Sequence, residues 1–194
     1  MQIPDENKRK KIMEAASALF ASRPFHKVLL TDVAAEAGVG KGTLYIYFKD
    51  KDDLYRSVVR AGFREVIERI RQQLKEREEM PELQLRNAIG EVVRYAYGNP
   101  DIFRLLREAH AKADDTAHCA SVRQELAAMF EEIIRAGVAK GVFTDPNPEL
   151  SARFIPGFVR SAFIYGDNNY DTATLENHIM RFVLAGLQAP IPGK

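Results

Sequence analysis

Apolar residues recur along most of the chain at intervals of three and four positions, the spacing that places them on one face of an α-helix. The first such stripe consists of Ile12, Ala15, Ala16, Leu19 and Phe20. No convincing alternation of apolar and polar residues, which would indicate a half-buried β-strand, competes with these stripes. The pattern therefore predicts an all-α fold of about nine helices.

Two short helices are predicted after the first one, which ends at Arg23-Pro24. Thr31 is placed to cap the second helix, and Gly38 to end it. The third helix covers about residues 41–48. Two short helices joined by a glycine-containing turn are typical of a helix-turn-helix, because glycine permits the sharp change of direction.

A much longer fourth helix begins where Asp50 can cap it, and it can continue to Met80-Pro81. Its length would be roughly 42 Å at 1.5 Å per residue. The sixth predicted helix begins at Asn99-Pro100, and the eighth contains Pro156, which is expected to kink it. Because the fourth helix starts beside the hairpin and continues beyond it, one rigid element is predicted to contact both regions.

The third helix is predicted to have one buried and one open face. At about 100° per residue, Leu44 and Phe48 point toward the other helices. The opposite face carries Gly42, Thr43, Tyr45 and Ile46. An outward isoleucine beside hydroxyl groups suits a DNA major groove, where apolar groups contact thymine methyls and hydroxyls contact phosphates. A helical hairpin whose tyrosines only pack against their own chain is the alternative, and the spacing leaves both open.

The composition changes this picture little. The chain of 194 residues is 46% hydrophobic and 28% charged, which is typical of a globular protein. No apolar run approaches the roughly 18 residues of a membrane-spanning helix, so we expect a cytoplasmic protein. Residues 1–60 hold 11 Lys and Arg against 8 Asp and Glu, whereas the remainder holds 17 against 19. This mild excess of positive charge permits a nucleic-acid site in the first third without requiring one.

Residues suited to catalysis or metal binding are few. His118 and the one cysteine, Cys119, are adjacent, so on a helix their side chains point about 100° apart, and no third partner is evident. His110, His118 and His178 lack a ligand-like spacing to carboxylates. We therefore expect no catalytic residue, no metal and no cofactor, although a helical enzyme that merely carries the hairpin stays an alternative.

Three stretches of the sequence then occur together at a consistent spacing. The first is KIMEAA at residues 11–16, followed by Leu19-Phe20. The second is TDVA at residues 31–34, followed by AGV at 37–39, and the third is KGTLYIYF at residues 41–48, followed by Lys51. Together they closely resemble the TetR family of transcriptional regulators over about residues 6–66. The rest of the chain resembles the family in length and helix count alone. The resemblance implies a three-helix helix-turn-helix DNA-binding domain at residues 6–66 and an effector-binding and dimerisation domain at residues 67–194.

The resemblance further implies a homodimer that binds a palindromic double-stranded DNA operator, usually as a repressor, and releases it when a small molecule binds the C-terminal domain. The positions that match DNA-binding residues of the family are Thr31, Lys41, Gly42, Thr43, Tyr45, Ile46, Tyr47 and Lys51. Among these, Thr31 and Lys51 match positions that contact phosphate. Gly40 stands where the family often has serine, which removes one hydroxyl contact, and Arg23-Pro24 replaces a more usual glycine, so a stiffer first connection is expected.

Apolar and aromatic side chains of the fourth to eighth helices are candidates for lining a cavity that binds a small apolar or aromatic effector. They are Phe63, Ile67, Tyr95, Phe103, Met129, Phe130 and Phe158. Core packing alone would place the same residues inside. A DNA-binding regulator without a small ligand, controlled by a protein partner, is therefore the alternative.

The apolar stripes of the eighth and ninth helices include small residues that permit close helix approach, and they predict a two-fold homodimer. The candidate interface residues are Gly157, Phe158, Ser161, Ala162, Tyr165, Phe182, Val183 and Gly186. The alternative is that these stripes cover only the core of their own chain. In a dimer, a ligand is expected to displace the fourth helix and to widen the separation of the two recognition helices, so that their fit to successive major grooves is lost.

Overall fold

The computed structural model describes residues 5–76, 80–99, 120–165 and 170–189. Its α-helices are α1 (Glu6–Ser22), α2 (Leu30–Glu36), α3 (Lys41–Tyr47), α4 (Lys51–Glu76), α5 (Pro81–Gly98), α6 (Ala120–Ala139), α7 (Pro148–Tyr165) and α8 (Thr172–Leu187). No β-strand occurs within the described ranges, and the all-α prediction is confirmed. The predicted sixth helix lies outside them, so the predicted seventh, eighth and ninth helices correspond to α6, α7 and α8.

Side-chain caps fix the starts of α1 and α4. Asp5 accepts a hydrogen bond from the backbone N–H of Asn7 at 2.9 Å. Asp50 accepts one from the N–H of Asp53 at 2.7 Å, so the predicted cap of the fourth helix is confirmed. Both helices therefore begin at positions that a local sequence signal specifies.

The start of α2 differs from the prediction. The helix begins at Leu30, its N-cap position is Leu29, and no side chain caps it. Thr31 lies inside the first turn, so the predicted cap at Thr31 is wrong. Val28 and Val33 are both buried, and burial of these two side chains, rather than a cap, sets the register of the segment.

The described side chains form two hydrophobic clusters. The first cluster joins α1, α2 and α3 to the early turns of α4, and Leu44 of α3 is fully buried in it. The second cluster joins the later turns of α4 to α5, α6, α7 and α8, between Val66 and Leu187. Phe63 packs against both clusters. The predicted domain boundary between residues 66 and 67 lies near this change of partner, and it stays a prediction.

Helix α4 passes through both clusters as one continuous helix of 26 residues. It packs against α1 in the first cluster and against α5 and α6 in the second. Within the second cluster, α6 packs along α7 and α5 along α8. Pro156 lies inside α7, which continues to Tyr165, and the kink expected there stays a prediction. None of the described helices combines the length and apolarity needed to cross a bilayer.

Candidate nucleic-acid interface

The α2–α3 hairpin turns at Gly38, whose φ of +65° is a left-handed conformation that residues with a Cβ rarely adopt. The N–H of Val39 donates to the carbonyl of Ala34 at 2.9 Å and closes the end of α2. Gly38 therefore ends the second helix as predicted, and α3 leaves the turn in a defined direction.

The two faces of α3 are as predicted. Leu44 and Phe48 are buried in the first cluster. Tyr45 and Ile46 lie on the opposite side and are 47% and 58% exposed. We call the exposed residues Lys41, Gly42, Tyr45 and Ile46 the recognition face. It combines one cation, one hydroxyl and one apolar group on a single short helix.

Gly42 leaves the backbone of α3 accessible on this face. A Cβ built at Gly42 would meet no atom within 4 Å, so the packing of the chain itself does not require glycine there. Thr43, predicted as a further DNA contact, is half-buried beside it. The missing side chain therefore permits a partner to approach the helix backbone closely.

The end of α3 is tied to the start of α1. The hydroxyl of Tyr47 accepts a hydrogen bond from the backbone N–H of Asp5 at 2.8 Å. The guanidinium of Arg9 lies 5.5 Å from the centre of the Phe48 ring, within range of a cation–π interaction. Tyr47, a predicted DNA contact, thus also has a structural partner, while its hydroxyl proton can be donated to another acceptor.

Lys51, the first residue of α4, is directed at the backbone of its own chain. Its Nζ donates to the carbonyl oxygens of Phe25 at 2.9 Å and of Val28 at 3.0 Å. The same atom lies 4.5 Å from the centre of the Phe25 ring. Thr31 is exposed in the first turn of α2, shortly after this connection. Sequence reasoning missed this role of Lys51, because its partners lie 26 and 23 positions away.

Other contacts hold the same connection between α1 and α2. The rings of Phe20, Phe25 and Tyr55 pack together, with centroid distances of 5.6, 5.5 and 5.2 Å. On the surface, Arg23 forms an ion pair with Asp32 at 3.2 Å, which links the end of α1 to α2. These contacts restrain the segment in which the sequence predicts a stiff connection.

The predicted effector-binding residues do not all lie together. Four of them are buried in the second cluster: Ile67, Tyr95, Met129 and Phe130. Phe63 is partly buried between the two clusters. Phe158 lies on the surface of α7, so its predicted place in an internal cavity is wrong; Ile155 and Val159 occupy the inward side of that turn. Phe103 lies outside the described residues.

An open cleft of about 540 Å³ lies between α1 and α4, and the sequence did not indicate it. Tyr95 of α5 and Asn99, which follows the end of that helix, contribute to its lining. Burial, together with the nearby Glu65 carboxylate, raises the pKa of the Tyr95 hydroxyl above its usual value, so this group stays protonated near neutral pH. The charged residues that line the cleft carry both signs: Glu6, Arg9, Lys10, Glu14 and Glu65. Throughout the described part of the chain, no three potential metal ligands come together.

Apolar side chains of α7 and α8 form an exposed patch. Phe154, Phe158 and Phe182 are 57%, 42% and 56% exposed, and the rings of Phe158 and Phe182 lie 6.4 Å apart. Small exposed residues neighbour them along the two helices. We call the set the phenylalanine face: Phe154, Gly157, Phe158, Ser161, Phe182 and Gly186.

The phenylalanine face differs in part from the predicted dimer interface. Val183 is buried in the second cluster, and Ala162 packs partly buried against it, because both point to the inner sides of their helices. The side chain of Tyr165 lies outside the described part of the structure. Phe154 belongs to the phenylalanine face but not to the predicted interface; its position one turn before Phe158 makes an apolar i, i+4 pair on a shared helix face.

Comparison with known proteins identifies two matching families of domains. Residues 12–58 match bacterial regulatory proteins of the tetR family, and residues 78–164 match a tetracyclin repressor-like C-terminal domain. The fatty acid metabolism regulator protein of Bacillus subtilis is 23% identical over 184 residues, which cover 91% of this chain and 93% of that protein. The transcriptional activator FasR of Mycolicibacterium smegmatis is 31% identical over 74 residues, 38% of this chain and 34% of its own length.

A solved structure has the same fold. The regulator FadR from Bacillus subtilis, crystallised in complex with stearoyl-CoA, matches with a TM-score of 0.81 at 20% identity. The match covers 93% of this chain and 100% of that one. The arrangement of the described helices is therefore a known fold.

The fold and the recognition face define a helix-turn-helix DNA-binding protein. The two domain matches follow each other in the order expected for one family of such proteins. The chain belongs to the TetR family of transcriptional regulators, as the resemblance of its N-terminal third indicated. It is a regulator of transcription and not an enzyme.

Proposed function

We propose that this chain is a homodimeric, ligand-responsive repressor that binds a palindromic DNA operator and releases it when an acyl-chain effector binds the second cluster. The observation that carries the proposal is the continuity of α4, which begins at Lys51 beside the recognition face and contributes Val66 and Ile70 to the second cluster. One rigid element thereby joins a surface suited to DNA to an apolar interior.

The hairpin supplies the proposed contacts with DNA. Together with the first residue of α4, they are Thr31, Lys41, Gly42, Thr43, Tyr45, Ile46, Tyr47 and Lys51. We assign Ile46 to base edges, because an exposed apolar group can contact thymine methyls in the major groove. Lys41 and Tyr45 are assigned to phosphates, because a cation and a hydroxyl are the usual donors to the DNA backbone. The exposure of all three side chains supports these roles.

The phenylalanine face is the proposed dimer interface. Its six members are uncharged, and two of its phenylalanine rings neighbour each other across α7 and α8. A two-fold axis places the same patch of both chains in contact, so an uncharged apolar surface is complementary to itself. At Gly157 and Gly186 an added Cβ would meet nothing within 4 Å, which leaves room for close approach of a second copy. Such a dimer presents two recognition faces to two half-sites about one DNA turn apart.

The proposed effector is a long-chain fatty acyl thioester. The Bacillus subtilis relative that matches over 91% of this chain is named a regulator of fatty acid metabolism, and the FadR structure of the same fold holds stearoyl-CoA. The interior between α4 and α8 is built of apolar side chains, which suits an acyl chain. We retain Phe63, Ile67, Tyr95, Met129 and Phe130 as candidate lining residues, and assign Phe158 to the dimer interface.

A polar contact links the far end of α4 to the helices around this interior. Gln73 of α4 donates to the buried Glu91 of α5 at 2.7 Å, and Arg94 donates to the same carboxylate at 2.8 Å. Arg94 also lies 3.8 Å from Glu176 of α8. A ligand that shifts α5 or α8 can therefore shift α4. About hundredfold tighter binding of the effector to the released state would supply roughly 2.7 kcal/mol of coupling.

The test uses a duplex that the purified protein selects from a random-sequence library. Operator affinity and thermal unfolding are measured with stearoyl-CoA, and with CoA as the matched control. We expect stearoyl-CoA to raise the Tm and to weaken operator binding by roughly 10- to 100-fold, while CoA changes neither. A raised Tm with unchanged operator affinity would establish the ligand site and refute the switch.

A regulator without a small ligand, controlled by a protein partner, is the second candidate. It is favoured if stearoyl-CoA changes neither the Tm nor the operator affinity. The direction of regulation is tested separately, because the Mycolicibacterium smegmatis relative is named an activator. A reporter gene placed behind the selected operator should be less active when the protein is present; higher activity would make the protein an activator.

A further inference from the structure

Three arginines lie on neighbouring turns along one side of α4. Arg56, Arg60 and Arg64 are four residues apart, a spacing that makes them neighbours on the helix surface. Asp52 stands four residues before the first of them and Glu68 four residues after the last. Among the residues that the structure describes, however, no carboxylate forms an ion pair with any of the three. We call the three residues the arginine stripe.

The later arginines of the same helix are paired with carboxylates. Arg69 forms an ion pair with Glu65 at 2.5 Å, and Arg71 forms one with Glu125 of α6 at 2.5 Å. The first two members of the arginine stripe are half-buried, and a charge that is partly removed from water is stabilised by an opposite charge. The arginine stripe therefore has positive charge available for an anionic partner.

The side of α4 that carries the stripe becomes apolar toward the second cluster. Phe63 follows Arg56 by seven residues and Ile67 follows Arg60 by seven, a separation that returns to nearly the same side of a helix. Phe63 packs against both clusters, and Ile67 is buried in the second. One side of α4 thus passes from cations to candidate effector-lining residues over roughly 16 Å, at 1.5 Å per residue.

We propose that the arginine stripe binds the phosphate groups of the acyl thioester while its acyl chain lies in the second cluster. This inference rests on the proposed effector. Stearoyl-CoA joins an apolar chain to a diphosphate and a further phosphate through a pantetheine arm, so its two ends match the two ends of this side of α4. The planar guanidinium group suits phosphate, because it can donate two parallel N–H bonds to the phosphate oxygens.

The course of α4 favours the effector over DNA as the source of these phosphates. Arg60 and Arg64 lie about 13 and 20 Å along the helix axis from Lys51, which begins the helix beside the recognition face. The same turns bring them to Phe63, where the second cluster begins. Free CoA offers the phosphates without an acyl chain to bury, so it binds weakly and remains a suitable control.

The test measures the affinity of the full chain for two ligands with the same acyl chain, stearoyl-CoA and stearoyl-pantetheine, of which only the first carries phosphate. Two variants each replace three cations of α4: Arg56→Gln/Arg60→Gln/Arg64→Gln in the stripe, and Arg69→Gln/Arg71→Gln/Lys75→Gln as the control. We expect the stripe variant to bind stearoyl-CoA roughly 10- to 100-fold more weakly and stearoyl-pantetheine equally well. The control variant should change neither affinity, because exposed ion pairs contribute little to stability.

Three results would overturn the inference and leave the proposed function standing. They are an unchanged affinity of the stripe variant for stearoyl-CoA, equal losses for both ligands, and an unsubstituted protein that binds both ligands equally tightly. A salt slope of binding to the selected duplex that falls by about 0.9 per arginine, with stearoyl-CoA affinity unchanged, would assign the stripe to DNA phosphates instead. If the unsubstituted protein binds neither ligand, the proposed effector itself fails.

Discussion

The two hydrophobic clusters hold their helices by different means. In the first cluster, α2 and α3 have seven residues each and depend on a few side chains such as Leu44 and Lys51. In the second, α5, α6, α7 and α8 have 18, 20, 18 and 16 residues and pack around one apolar core. The position of a short helix can therefore change with a single contact, whereas a long packed helix moves as a unit.

Exposed apolar side chains also have different neighbours in the two regions. Tyr45 and Ile46 lie between two exposed lysines, Lys41 at the start of α3 and Lys49 just after its end. In the phenylalanine face, the described ring neighbours of Phe182 are Phe158 at 6.4 Å and His178 at 5.1 Å. Apolar groups among lysines suit DNA, which offers thymine methyls beside phosphates. An uncharged apolar surface suits a second copy of the chain. The comparison thus assigns one partner to each region.

The largest effect is expected from a charge in the phenylalanine face. In Phe158→Glu, carboxylates would enter an apolar contact around the two-fold axis, so we expect monomers in sedimentation equilibrium. Affinity for a palindromic duplex should fall by roughly 10² to 10⁴, because the two half-sites are no longer bound as one unit. The matched control is Leu83→Glu, which places the same charge at an exposed leucine of α5. A dimer that persists in Phe158→Glu would locate the interface elsewhere.

A smaller effect is expected on the recognition face. Ile46→Ala removes the apolar group assigned to a base edge, so affinity for the selected duplex should fall roughly tenfold. Affinity for an unrelated duplex should stay the same, because phosphate contacts are kept. Val138→Ala, at an exposed valine of α6, serves as the control. Equal losses on both duplexes would show that Ile46 does not read sequence.

The smallest effects are expected from Gly42→Ala, which should stabilise the free protein but weaken its binding to DNA. Alanine there meets no neighbouring atom and favours the helix, so the free protein should be stabilised by about 0.5–1 kcal/mol. DNA binding should weaken, because the added methyl keeps the helix backbone from the groove. Gly98→Ala, where a Cβ also meets nothing, provides the comparison for denaturant unfolding and DNA titration. Unchanged DNA affinity in Gly42→Ala would remove this position from the interface.

Much of the hairpin could be predicted because its signals are local. The inward Leu44 and outward Ile46 follow from helical periodicity, and Gly38 from the backbone conformation that the turn needs. The roles of Lys51 and Thr31 could not be predicted in the same way. Lys51 binds carbonyls far away in sequence, and the start of α2 is set by buried side chains rather than by a cap.

The second cluster was less predictable for a related reason. An apolar stripe shows that a helix has a buried face. For residues at the edge of the stripe, however, the pattern does not decide between the interior of the bundle and its surface. Val183 proved to be inside and Phe158 outside, although both had been placed in the same predicted interface. Which side is buried depends on neighbouring helices, so it follows from the packing of the whole bundle and not from one segment.

The central claim is that two copies joined through their phenylalanine faces present their recognition faces to one operator, and that the effector changes the spacing between the recognition faces. Spin labels at Ala35→Cys, in a chain where Cys119 is replaced by serine, measure the distance between the two copies of α2. With operator, we predict one narrow inter-chain distance, set by half-sites roughly 34–36 Å apart. Stearoyl-CoA should lengthen it. The absence of any inter-chain distance would contradict the dimer, and a distance that stearoyl-CoA leaves unchanged would contradict the switch.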